Sequence, residues 1–70
     1  MSAIEKWILC KWNVDNEEVI VATYPCEDLE HMLLRAFMIH RMEIGFNYTI
    51  YENDQNGHGW TVAAFLKEYL

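Results

Sequence analysis

The 70-residue sequence predicts an α+β fold of order ββαββ, a four-stranded antiparallel sheet with one helix packed on one face. Three observations carry that expectation. Alternating apolar stretches flank Asp15-Asn16, others flank Asn56-Gly57, and a segment with helical spacing joins these two candidate hairpins. The composition agrees with a compact fold, since 53% hydrophobic and 23% charged residues are too apolar a mixture for a disordered linker. A chain of this length supports one small core, so residues 1–70 read as a single domain.

From Ile4 to Trp12, Ile4, Ile8, Cys10 and Trp12 alternate with Trp7 and Leu9, which describes a strand with apolar groups on both sides. Asp15 and Asn16 both tolerate the left-handed backbone of a two-residue hairpin loop. That turn sets Trp12 opposite Val19, Cys10 opposite Val21, Leu9 opposite Ala22, Ile8 opposite Thr23 and Trp7 opposite Tyr24. The second strand is then about Glu18 to Tyr24.

Pro25 ends that strand, and Glu27, Asp28 and Glu30 supply negative charge where the unpaired N–H groups of a helix start favour it. The helix is expected from near Cys26 to about Met42, with Gly45 just beyond as its stop. Leu29, Met32, Leu33, Ala36, Phe37 and Ile39 fall in one arc of roughly 160°, the core face. His40 falls beside Leu33 on that arc and reads as a partly buried histidine. Away from the core, Leu34, Met38 and Met42 form an i, i+4, i+8 ridge among His31, Arg35 and Arg41. Either neighbouring chain and the aliphatic stems of Arg35 and Arg41 cover this ridge, or it is a contact surface for a partner helix, a sheet or a second copy of the chain.

Phe46, Tyr48 and Ile50 alternate with Asn47, Thr49 and Tyr51 in a third strand rich in aromatic and β-branched residues. Glu52 to Gly59 is a polar loop whose Asn56-Gly57 is a strong hairpin signal. With that pair at the tip, Tyr51 faces Val62, Ile50 faces Ala63 and Tyr48 faces Phe65, and the last strand spans about Trp60 to Phe65. A competing order, ββαβα, arises because Val62, Phe65, Leu66, Tyr69 and Leu70 also fit helical spacing behind a Thr61 cap. The strand is the favoured expectation.

No constellation carries chemistry. His31, His40 and His58 have no metal-binding spacing, and His31 and His40 project from opposite sides of the predicted helix. Glu52, Asp54, Asn56 and Gly57 resemble positions 1, 3, 5 and 6 of a calcium loop, but Ala63 stands where the bidentate Glu is required. Ser2 lies at the terminus, Cys10 reads as core, and Cys26 sits among three carboxylates that oppose a thiolate. The expectation is a protein that is not an enzyme, with no cofactor and no metal.

Eleven acidic against five basic residues give a net charge of -6, and the cations Lys6, Lys11, Arg35, Arg41 and Lys67 are scattered. Direct nucleic-acid binding is not expected, even though Trp7, Tyr24 and Tyr51 could serve as stacking platforms on an open sheet face. Residues Met1 to Trp7 lack the pattern of a signal peptide, and no apolar run approaches the ~18 residues of a membrane span. With Cys10 and Cys26 read as reduced thiols, the expected location is the cytoplasm.

What the sequence does offer is contact surface. Both sheet faces carry apolar side chains, and three Trp and four Tyr are abundant for so short a chain. Acidic residues gather at the turns and the helix start. At the level of size, acidity and ββαββ order, the chain is similar to the small inhibitors that phages and other mobile elements encode against host machinery, anti-CRISPR proteins among them. The similarity covers the whole chain, rests on no motif and transfers no residue role. The expected function is a non-catalytic interaction module that occupies a surface of a larger host protein or nucleoprotein complex. Its contact residues would be Glu17, Glu18, Glu52 and Asp54 for charge, and Leu34, Met38 and Met42 for apolar area. The alternative is a structural or regulatory homodimer that self-associates through its sheet face or helix ridge.

Overall fold

The structure, a computed structural model, describes residues 3–70. Strands β1 (Lys6–Trp12) and β2 (Glu18–Pro25) form the first hairpin. A 3-10 turn at Cys26–Asp28 leads into helix α1 (Leu29–Arg41), and a second at Gly45–Asn47 leads into β3 (Tyr48–Glu52). The chain closes with β4 (Gly59–Trp60) and helix α2 (Val62–Tyr69). The sheet is four-stranded and antiparallel throughout, in the order β2-β1-β3-β4, so the expected α+β architecture is present. Both helices cover one face. There Trp7, Leu9 and Ile50 of the sheet meet Met32, Ala36 and Ile39 of α1 and Val62, Phe65 and Leu66 of α2.

The last segment is the main correction. Only Gly59 and Trp60 pair with β3, Ile50 facing Trp60 and Tyr51 facing Gly59, and the chain then becomes helical where a strand to Phe65 was expected. The side-chain oxygen of Thr61 accepts the Ala64 N–H at 3.0 Å, the N-cap that opens α2. Burial explains why the helix wins. Val62, Phe65 and Leu66 share one side of α2 and all reach the core, whereas a strand would send Phe65 and Leu66 to opposite faces. Phe65 and Tyr69 close an aromatic cluster with Trp7 and Trp60, with ring centroids 5.0 to 6.4 Å apart.

The Asn56-Gly57 turn is corrected with it. The positive φ of the loop belongs to Asn53 (φ 70), and Gly57 is needed for space, because a Cβ there would lie 2.1 Å from the Glu52 carbonyl oxygen. Asn53 also holds the start of the chain to this loop, its Oδ1 accepting the N–H groups of Glu5 (2.7 Å) and Lys6 (3.3 Å).

In the first hairpin the pairs Trp7 with Tyr24, Ile8 with Thr23 and Leu9 with Ala22 are present as expected. Beyond Leu9 the register slips, so that Cys10 faces Ile20 and Trp12 faces Glu18, and Val21 is the extra residue of a β-bulge. The loop consequently gains a residue. Asn13 and Glu17 close it, Asn16 (φ 61) takes the left-handed position, and Asn13 Oδ1 accepts the N–H groups of Asp15 and Glu17 at 3.0 Å each.

Three smaller expectations also change. The left-handed residue after α1 is Glu43 (φ 60) and not Gly45. The N–H groups of Glu43 and Ile44 bond the carbonyls of His40 and Ile39 there, a Schellman ending. Strand β3 begins at Tyr48, which leaves Phe46 in a 3-10 turn, exposed. Phe37 and His40, expected on the core arc, are exposed, because α2 covers only part of that side of α1.

Candidate functional site

The apolar ridge on α1 is where the sequence puts it. Leu34, Met38 and Met42 are 58%, 55% and 64% exposed, so neither the neighbouring chain nor the stems of Arg35 and Arg41 cover them. At ~100° per residue, with Met32, Ala36 and Ile39 toward the core, Leu33 and Phe37 lie on the side of α1 that adjoins α2, where they line an apolar groove with Leu70 that Leu34, at the start of the ridge, also borders. Met38 and Met42 lie on the other side. Since α1 packs over β2 and α2 over β3, that other side looks out past the free edge of β2.

β2 continues the surface. It is an outer strand of the sheet, and no charged residue interrupts it from Val19 to Tyr24. Val19, Ile20 and Val21 are 38%, 52% and 41% exposed. An outer strand presents unpaired N–H and C=O groups along its free side, so apolar side chains and backbone donors and acceptors coincide here. The sequence places these residues among the apolar groups of the sheet faces but not on an outer strand. Their signal, an uncharged six-residue run, was present, but only the insertion of β3 beside β1 makes β2 an edge.

The face without helices is less open than its composition suggests. Tyr51 on β3 donates to Glu18 Oε1 on β2 at 2.7 Å, and β1 lies between those two strands, so the tyrosine reaches across it. Beneath this strap Ile8 and Cys10 are buried. The bond to Glu18, with burial adding to it, pushes the Tyr51 phenol up to about 12. Burial also pushes the Cys10 thiol up, and the Glu18 carboxylate adds to the rise. Trp7, Tyr24 and Tyr51 do not form a stacking platform. Trp7 is buried under the helices, Tyr24 packs against the same core, and Tyr51 is on the opposite face.

The acidic candidates divide into two kinds. Glu18 holds Tyr51, and Glu52 Oε2 accepts the Trp60 Nε1–H at 2.8 Å, so both half-buried carboxylates serve the fold. Glu17 and Asp54 are exposed. They stand at opposite ends of the sheet, because Glu17 closes the β1–β2 loop beyond Trp12, whereas Asp54 follows Glu52, which pairs with Trp7. Asp54 is joined at its end by Glu27 and Asp28, which follow Pro25, the partner of Lys6.

Comparison with known families, curated proteins and solved structures finds no match. The surface has therefore to be interpreted from its own chemistry. Among the described residues no group of three His, Cys, Asp or Glu side chains could hold a metal ion, and no helix is long and apolar enough to cross a membrane. His31 Nδ1 contacts Asp28 Oδ1 at 2.5 Å, and Cys26 is exposed. Ser2 lies outside the described residues.

Proposed function

We propose that the protein is a non-catalytic protein–protein interaction module, and that the α1–β2 side of the molecule is its contact surface. One observation carries this reading. The Leu34–Met38–Met42 ridge is more than half exposed from the middle of α1 to its end, and the exposed Val19, Ile20 and Val21 of β2 extend the apolar surface beside it. Methionines suit such a surface, since their unbranched, polarisable side chains adapt to a partner's shape at little cost. The narrower form of the proposal is a small acidic inhibitor, acting in the cytoplasm, that occupies a surface of a larger nucleic-acid-handling complex. Exposed Glu17 and Asp54 would then dock on basic patches separated by the length of the sheet.

Affinity capture from the source cell tests the reading with three proteins: wild type, Met38→Glu, and the double charge reversal Glu17→Lys/Asp54→Lys. A protein retained by wild type and lost with Met38→Glu supports the ridge as the contact surface. Loss with the double reversal supports the acidic inhibitor, and equal retention by all three overturns both assignments.

A further inference from the structure

The two sides of the sheet end differently, and the difference identifies an occupant for the contact surface. We infer that the free edge of β2 pairs antiparallel with β2 of a second copy, so that two chains share one eight-stranded sheet and the α1 ridges meet above the junction. This rests on the interaction-module reading and names the partner for its surface.

The first argument is spacing. Strands in a sheet lie about 4.8 Å apart and packed helices about 10 Å apart, so four strands carry two helices side by side. Here α1 and α2 occupy those two places, α1 on the β2 side. Doubling the sheet through β2 continues the same repeat, and the next helix beyond α1 is α1 of the second copy. Met38 and Met42 stand about 140° and about 180° around α1 from Leu33, which lines the groove beside α2, so both project toward the other side. Edge and ridge are thereby covered by one event.

The second argument is charge. Two chains of net charge -6 repel, yet Val19 to Tyr24 contains no ionisable group other than the Tyr24 phenol, and the Glu18 carboxylate is turned toward Tyr51. On α1 the charges are self-complementary, with Glu27, Asp28 and Glu30 at its start and His40 and Arg41 at its end. A two-fold axis at the strand junction runs the helices antiparallel, and so sets the acidic start of each beside the basic end of the other. Like charges approach at the strand ends, where Glu17 comes near Glu27 of the second copy, and at the middle of α1, where Arg35 comes near its own counterpart. All three residues are exposed, so solvent and salt screen those repulsions.

Sedimentation of the purified protein across the micromolar range tests the inference, with circular dichroism to show that each variant keeps its fold. Wild type is expected at twice the 8.4 kDa chain mass. Val21→Lys and Thr23→Lys place a cation on the shared edge, and Met38→Glu places an anion in the ridge, and each should weaken the dimer about tenfold or more. Wild type at the monomer mass overturns the pairing. A dimer that survives both lysine substitutions excludes β2, even if Met38→Glu dissociates it. Capture of a different protein through the ridge by a wild type that does not self-associate rejects the second copy and leaves the interaction-module reading intact.

Discussion

The two edges of the sheet show how differently the same chain treats two exposed strands. β4 is only Gly59 and Trp60, and the backbone leaves the sheet at once into the Thr61-capped helix. Its Trp60 indole is held by Glu52, and its ring packs on Phe65 and Tyr69. A two-residue edge offers another chain little to pair with, which is how folded proteins blunt an edge. β2 runs for eight residues with an uncharged centre and exposed Val19, Ile20 and Val21. The Val21 bulge and Pro25 at its end are its blunting devices, and neither shortens the uncharged centre. An edge closed by its own fold is a structural boundary, and an edge left long, neutral and apolar keeps unpaired backbone groups that the proposed second copy would take up.

Perturbing the closed edge should cost the most. Gly57→Ala forces a Cβ against the Glu52 carbonyl in the loop that returns the chain to β4, and should lower unfolding free energy by about 3 kcal/mol in a denaturant titration. Its effect on self-association in the fraction that remains folded should be small.

Tyr51→Phe comes next, because the Tyr51–Glu18 bond ties the β4 side of the sheet to β2. The variant leaves a half-buried carboxylate whose other oxygen, Oε2, already has no protein partner, and a loss of about 1–3 kcal/mol is expected near neutral pH. The same bond sets a pH window. The folded phenol is raised from 10 to about 12, so the folded state holds this proton more tightly than the unfolded chain. Its contribution is complete below pH 10 and is lost as pH rises toward 12. A near-ultraviolet titration should show Tyr51 ionising late in wild type, alongside Tyr69, whose phenol burial also pushes up, and one fewer late-ionising tyrosine in Tyr51→Phe.

Thr61→Ala removes the cap that turns the chain out of the sheet, for about 1 kcal/mol. At the open edge the expected effect on the monomer is smallest: Val21→Lys should change its stability by no more than about 0.5 kcal/mol. The closed edge should respond in stability, the open one in association.

The sequence was legible where local pattern and tertiary packing agree. Strand alternation located the first hairpin up to the Leu9–Ala22 pair, and helical spacing located both the buried Met32, Ala36 and Ile39 and the exposed Leu34, Met38 and Met42. It misled where a local signal opposed the core. Asn56-Gly57 favours a hairpin, but extending that hairpin would remove Phe65 or Leu66 from the cluster around Trp7, and burial of both outweighs the turn preference. The bulge at Val21 was illegible, since Val19, Ile20 and Val21 are alike enough that slipping the register by one leaves the pattern unchanged. Glu18 and Glu52 looked like free surface charge because their partners, Tyr51 and the Trp60 indole, are brought to them only by the strand order. The same order makes β2 an edge, which no local pattern reveals.

Amide hydrogen exchange at the two edges tests the central claim most directly, followed at high and low protein concentration. The account predicts that amides within Val19 to Tyr24 slow as concentration rises and lose that protection in Val21→Lys, while those of Gly59 and Trp60 exchange at one rate throughout. Exchange within β2 that is independent of concentration and unaffected by Val21→Lys would contradict the claim that this edge is where a second chain binds.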